Sequence, residues 1–107
     1  MPCYLVQGAY TPEAWDAMVK NPQGRFAGVR PAVEIVGGKV DAGYIAFGEY
    51  DFVAIAEFPD NAAAAAFSVA TSSRGALKAI NTTPLLTMAE AQDAMKKAGT
   101  VKYEPPK

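Results

Sequence analysis

Residues 51–58 constrain this chain more than any other segment. Phe52, Ala54, Ala56 and Phe58 alternate with Val53, Ile55 and Glu57, so an extended strand here places apolar side chains on both of its faces. Such a strand belongs in the middle of a sheet, with cover on both sides. Residues 39–47 read as the preceding strand. The two are joined through the hairpin turn Gly48-Glu49-Tyr50-Asp51, where glycine is expected to supply backbone freedom. Pro59-Asp60 closes the unit.

The remaining elements are arranged around that hairpin. A first strand is expected over Cys3 to Tyr10. It runs into Thr11-Pro12-Glu13, a capping hydroxyl, a proline at the first helical position and an acid near the positive helix end. Trp15, Met18 and Val19 are expected on one face of this short helix, which Asn21-Pro22 interrupts. Phe26, Val29, Ala32, Val33 and Val36 then follow helical spacing up to Gly37-Gly38. Pro31 falls off that stripe, and Arg30 and Glu34 share the polar side. Asp60 or Asn61 can cap an alanine-rich helix over Ala62 to Ala66, Phe67 and Val69, ending at Arg74-Gly75. Residues 76–86 read as a fourth strand. Thr87 and Glu90 match a capping box opening a last helix to Gly99, and residues 99–107 form an extended tail.

The resulting order, β-α-β-β-α-β with an extra C-terminal helix, is an α+β fold of ferredoxin-like pattern, and 107 residues fit a single domain over 1–107. In that pattern both long helices cover one sheet face and leave the other open. One more helix could cover part of the open face. A second copy would cover it better, giving a homodimer of the dimeric α/β-barrel type.

Composition removes several functional classes. Ten basic and eleven acidic residues give a net charge of −1, and the basic residues are scattered, unlike the clustered cations that neutralise nucleic-acid phosphates. No apolar run reaches membrane-spanning length and no secretory leader is visible, so the expected location is cytoplasmic. Cys3 is the single cysteine and there is no histidine. This excludes an intrachain disulfide, His-ligated metal or haem, and His-based triads or dyads. Neither a metal nor a cofactor is expected. Catalysis, if present, rests on carboxylates, Lys, Tyr, Cys3 or the amino terminus. The Asn81-Thr82-Thr83 sequon and the GxxxG spacing of Gly24 and Gly28 are read as chance.

The run Gly37-Gly38-Lys39-Val40, Tyr44, Phe47-Gly48-Glu49-Tyr50-Asp51 and Pro59-Asp60-Asn61 resembles the GYD-domain family of bacteria and archaea. Tyr4-Leu5-Val6, Tyr10-Thr11-Pro12-Glu13, Thr82-Thr83 and Leu86 to Ala91 resemble it too. The Gly-x-Tyr-Asp hairpin is the most specific element of the likeness. The resemblance implies a dimeric α/β barrel and adds little chemistry. Pro31 and Pro84 depart from the family's usual pattern, and Pro84, lacking a ladder donor, calls for an edge position or a bulge.

Three places could carry chemistry. Tyr44, Glu49, Tyr50 and Asp51 could line the mouth of a ligand cavity, whereas the plainer reading has Asp51 capping turn N–H groups and Tyr50 packing over the hairpin. Glu57 is either an enclosed carboxyl with acid–base potential, with Lys78 as a possible partner and Tyr50 as a further candidate, or a strand-end residue reaching water. Pro2 would become an N-terminal secondary amine if Met1 were removed, an arrangement tautomerase-like enzymes use as a general base. The leading expectation is a dimer that binds a small apolar or aromatic molecule between two sheets. A cofactor-independent monooxygenase or isomerase is one alternative, and an assembly or regulatory module without a ligand is another.

Overall fold

The computed structural model describes residues 1–22 and 29–106. Phe26 of the expected stripe and the Gly24–Gly28 spacing lie outside the described residues. Eight elements follow one another: β1 (Cys3–Tyr10), α1 (Pro12–Lys20), α2 (Val29–Ile35), β2 (Lys39–Ile45), β3 (Phe52–Glu57), α3 (Asn61–Ser72), β4 (Leu77–Leu85) and α4 (Met88–Ala98). The strands form one antiparallel sheet in the order β2-β3-β1-β4. The fold is α+β, and β3 is central, as its two apolar faces require.

Side-chain alternation divides the sheet cleanly. Tyr4 and Val6 of β1 share a face with Phe52, Ala54 and Ala56 of β3, and all five are buried. Helices α1, α2 and α3 close this face with Met18, Val33, Ala64 and Phe67. Phe58 and Phe67 are almost completely buried, with ring centroids 5.6 Å apart, and Tyr4 meets Phe58 edge-on at 5.3 Å. Burying an aromatic side chain of this kind contributes roughly 1.5–3 kcal/mol. The Tyr4 hydroxyl donates to Asn61 Oδ1, tying the first residue of α3 to β1.

Local signals explain where the helices begin and end. Thr11 accepts from Ala14 N at 3.2 Å, Asp60 from Ala63 N at 2.8 Å, and Thr87 from Glu90 N at 3.1 Å. Glu90 closes its capping box by accepting from Thr87 N at 3.0 Å. After α2, Gly37 takes a φ of +89°, where a side chain would be strained, and Gly38 N donates to Val33 O at 3.0 Å. Gly8 is required for a different reason. A Cβ there would sit 2.3 Å from the Phe52 ring, which crosses β1 at this point.

Three expectations need correcting. The strands of the hairpin stop earlier than expected, at Ile45 and Phe52, so the connection runs over residues 46–51. Gly48 does not adopt a positive φ there, and glycine freedom is not what shapes this turn. Val19 is 76% exposed while Met18 is buried, because a nine-residue helix turns only a narrow stripe to the sheet. In α3 the inward positions are Ala64 and Phe67, whereas Ala62, Ala65 and Ala66 face water. Pro84 meets its expectation on the edge strand β4, opposite Tyr4.

The last helix stands apart. α4 buries none of its residues. The Cα radius of gyration is 17.0 Å, against about 13 Å for a compact domain of this length.

Candidate functional site

Among the described residues, the opposite face of the sheet has no helical cover. Register places Cys3, Leu5 and Gln7 of β1 beside Glu57, Ile55 and Val53 of β3, and beside Leu85, Thr83 and Asn81 of β4. Lys39, Ala42 and Tyr44 of β2 extend the same rows, with a register shift between Val40 and Ala42. Its centre is therefore apolar, with Leu5, Ile55 and Val53 half-buried by their neighbours alone. Tyr44 is 72% exposed at the β2 edge.

α4 does not fold back over this face. Met88, Ala91, Met95 and Ala98 repeat at i, i+3, i+7 and i+10, one apolar stripe along the helix. Met88 and Met95 are nevertheless 84% and 64% exposed. The stripe continues into Leu85 and Leu86 before the helix and Val101 and Tyr103 after it, all exposed to some degree. Two uncovered apolar surfaces thus belong to one chain.

Asp51 of the hairpin serves the fold. Asp51 Oδ2 accepts from Tyr10 N at 2.8 Å, Asp51 N donates to Gly8 O at 2.7 Å, and Ala46 N donates to Asp51 O at 2.8 Å. The β1–β3 ladder ends at the Gly8–Phe52 pair, and the Asp51 carboxylate satisfies the next free donor of β1. This lies beside the irregularity between Ala9 and Tyr10 in the β1–β4 register. Glu49 is exposed and Tyr50 half-buried.

Glu57 lies at the other end of β3, and its neighbour is Lys39. Lys39 Nζ is 3.6 Å from Glu57 Oε2 and 3.5 Å from Asp41 Oδ1, long distances for an exposed ammonium and of small energetic weight. Lys78 is not its partner. It lies in β4 between the partners of Ala9 and Tyr10, whereas Glu57 pairs with Cys3 at the opposite end of β1. Pro2 is exposed, and its carbonyl accepts from Phe58 N at 3.1 Å.

A feature the sequence does not reveal lies on the helix side. Two adjoining clefts, of about 390 and 320 Å3, share Tyr10, Val29 and Phe52 as a common wall. One opens between α2 and α3, with Phe67 and Leu77 below it and Arg74 at its rim. The other runs over β2 and β3, with Arg30 at its rim. Tyr10 packs on Trp15 and Phe52 with centroids 5.4 and 5.5 Å away. Burial, and then the nearby Asp51 charge, push the Tyr10 phenol above its ordinary pKa. The only sequence signal for it is an aromatic residue just before a helix start.

A solved structure titled FFRP-DM1 has a similar fold, with a TM-score of 0.53, 14% identity, and coverage of 80% of this chain and all of that one. A protein of Thermus thermophilus named glutamine synthetase and cystathionine beta-lyase binding protein is 35% identical over 79 residues, which span 73% of this chain and 82% of that protein. The GYD domain model matches residues 4–95, from the second residue of β1 to the last turns of α4. The chain belongs to the GYD domain family.

Proposed function

We propose that this chain acts as a homodimeric protein-binding module for metabolic enzymes, two ferredoxin-like sheets packing face to face as a dimeric α/β barrel. The observation that carries this reading is the apolar open face centred on Leu5, Val53 and Ile55, which the chain's own α4 does not cover. A four-stranded face projects on the order of 400 Å2 per copy from strand spacing and rise. A stable interface buries about 800 Å2 of accessible surface per partner. The stripe of α4 supplies further apolar area, and an arm reaching across a second copy would bury it. The name of the Thermus relative supports enzymes as the outer partners.

The test is binding of the purified chain to purified glutamine synthetase and cystathionine β-lyase from its own organism, measured by interferometry. The reading expects saturable binding to at least one of them, lost in an Ile55→Asp variant that stays folded but monomeric. Failure to bind either enzyme at about 100 µM, well above ordinary transient affinities, contradicts the protein-binding half.

A second reading, a small apolar or aromatic molecule held between the two sheets, draws on one row of the open face. Tyr44, Val53, Gln7 and Asn81 lie side by side there, an aromatic ring and two amides around an apolar centre. A dimer interior packed solid by side chains favours the module. A hollow interior with both amides turned inward favours the small molecule.

A further inference from the structure

We propose that the groove on the helix side of the sheet binds a small carboxylic acid with an apolar body. The α2–α3 cleft is separate from the open face, whereas the neighbouring cleft reaches the edge of that face at Tyr44 and Val53. The two adjoining clefts lie in the lower part of the size range of small-molecule sites, and aromatic and aliphatic side chains dominate their lining.

Charge decides what kind of apolar molecule fits. Among the described residues no Asp or Glu lines either cleft, whereas Arg74 stands at one and Arg30 at the other. Among the described residues the ion pairs engage Lys20, Lys39 and Lys97, and neither arginine has a carboxylate within salt-bridge distance. Two unpaired guanidiniums flanking an apolar groove complement an anion, and a guanidinium fork matches a carboxylate in two parallel hydrogen bonds. Tyr10 stands in the shared wall, 8% exposed, and its hydroxyl makes no hydrogen bond among the described residues. The hydroxyl keeps access to solvent, so it is free to donate to an acceptor that enters the groove. A carboxylate with an aromatic or branched aliphatic body matches both the apolar lining and the two guanidiniums, and a neutral hydrocarbon matches only the lining.

The experiment is calorimetric titration of the full chain with indole-3-acetate, phenylacetate and octanoate, each beside its neutral amide. At least one acid should bind saturably with a Kd between about 10 µM and 1 mM, a range set by ligands of this size. Its amide should bind about tenfold more weakly. Arg74→Gln should abolish that preference, and Ala70→Trp, at an exposed position lining the α2–α3 cleft, should abolish binding while the circular dichroism spectrum and solution mass stay unchanged. Three outcomes overturn the proposal: no acid saturating below about 5 mM, acid and amide binding equally, or binding that survives Ala70→Trp. If Ala70→Trp fails to fold, Ala32→Phe on the opposite wall is the substitute, with the same expected loss.

Discussion

The two faces of β3 come from one strand of six residues, yet they live in different surroundings. Phe52, Ala54 and Ala56 are enclosed by three helices and contribute to a core that one chain completes by itself. Val53, Ile55 and Glu57 lie only half-buried, among strand neighbours and without a layer above them. Alternation along a strand makes side chains apolar on both faces equally legible, but burial depends on what packs there. The helix-side face therefore explains why the chain folds, and the open face explains why it should associate.

The sharpest way to break this comparison is to damage each face in turn. Phe58→Ala removes a ring with no exposed surface and leaves a cavity between β1 and α3, so it should cost about 3–5 kcal/mol in urea unfolding. That cost should not change with protein concentration. Ile55→Ala on the open face should cost less in dilute solution and more as concentration rises, because in the proposed dimer a second copy completes its burial. A concentration-independent Ile55 effect as large as that of Phe58 would erase the distinction between the faces.

Ile55→Asp sharpens the same contrast by charge. An unpaired carboxylate at the centre of a sheet-on-sheet contact should weaken association by about 100-fold or more, or roughly 3 kcal/mol. Sedimentation velocity should then show single chains with an unaltered far-ultraviolet spectrum. The third expectation concerns the hairpin. Asp51→Ala leaves the Tyr10 N–H without its acceptor and should cost about 1–3 kcal/mol, read from the denaturation midpoint, with no effect on the open face.

The smallest effect is in pH. Tyr10 has a folded pKa raised above the ordinary value of 10.0, so the folded state holds its proton more tightly than the unfolded state does. Its contribution to stability is complete below the unfolded value and declines as pH rises toward and through the raised one. Tyr10→Phe should flatten the loss of stability that urea titrations record above about pH 10.

These contrasts also mark what can be read from the residues. β1 ends at Tyr10 and α1 begins at Pro12 as expected, and the Thr87–Glu90 box opens α4, because capping chemistry is local. The exclusion of Val19 from the core depends on how α1 lies on the sheet, which its own sequence does not encode. The shape of the Gly48 turn is not legible in its residues, because the connection is longer than a tight turn and glycine need not occupy a strained position in it. Lys39 rather than Lys78 beside Glu57 follows from strand order, a long-range property. The arginine-flanked groove needs α2, α3 and all four strands brought together before it exists at all.

Light scattering on the full chain during size exclusion tests the central claim most directly, at tens of micromolar, where obligate sheet-packed dimers persist. The account predicts a mass of twice the chain's 11.3 kDa, falling to a single chain in Ile55→Asp. A mass of 11.3 kDa for the unaltered protein at that concentration would contradict it.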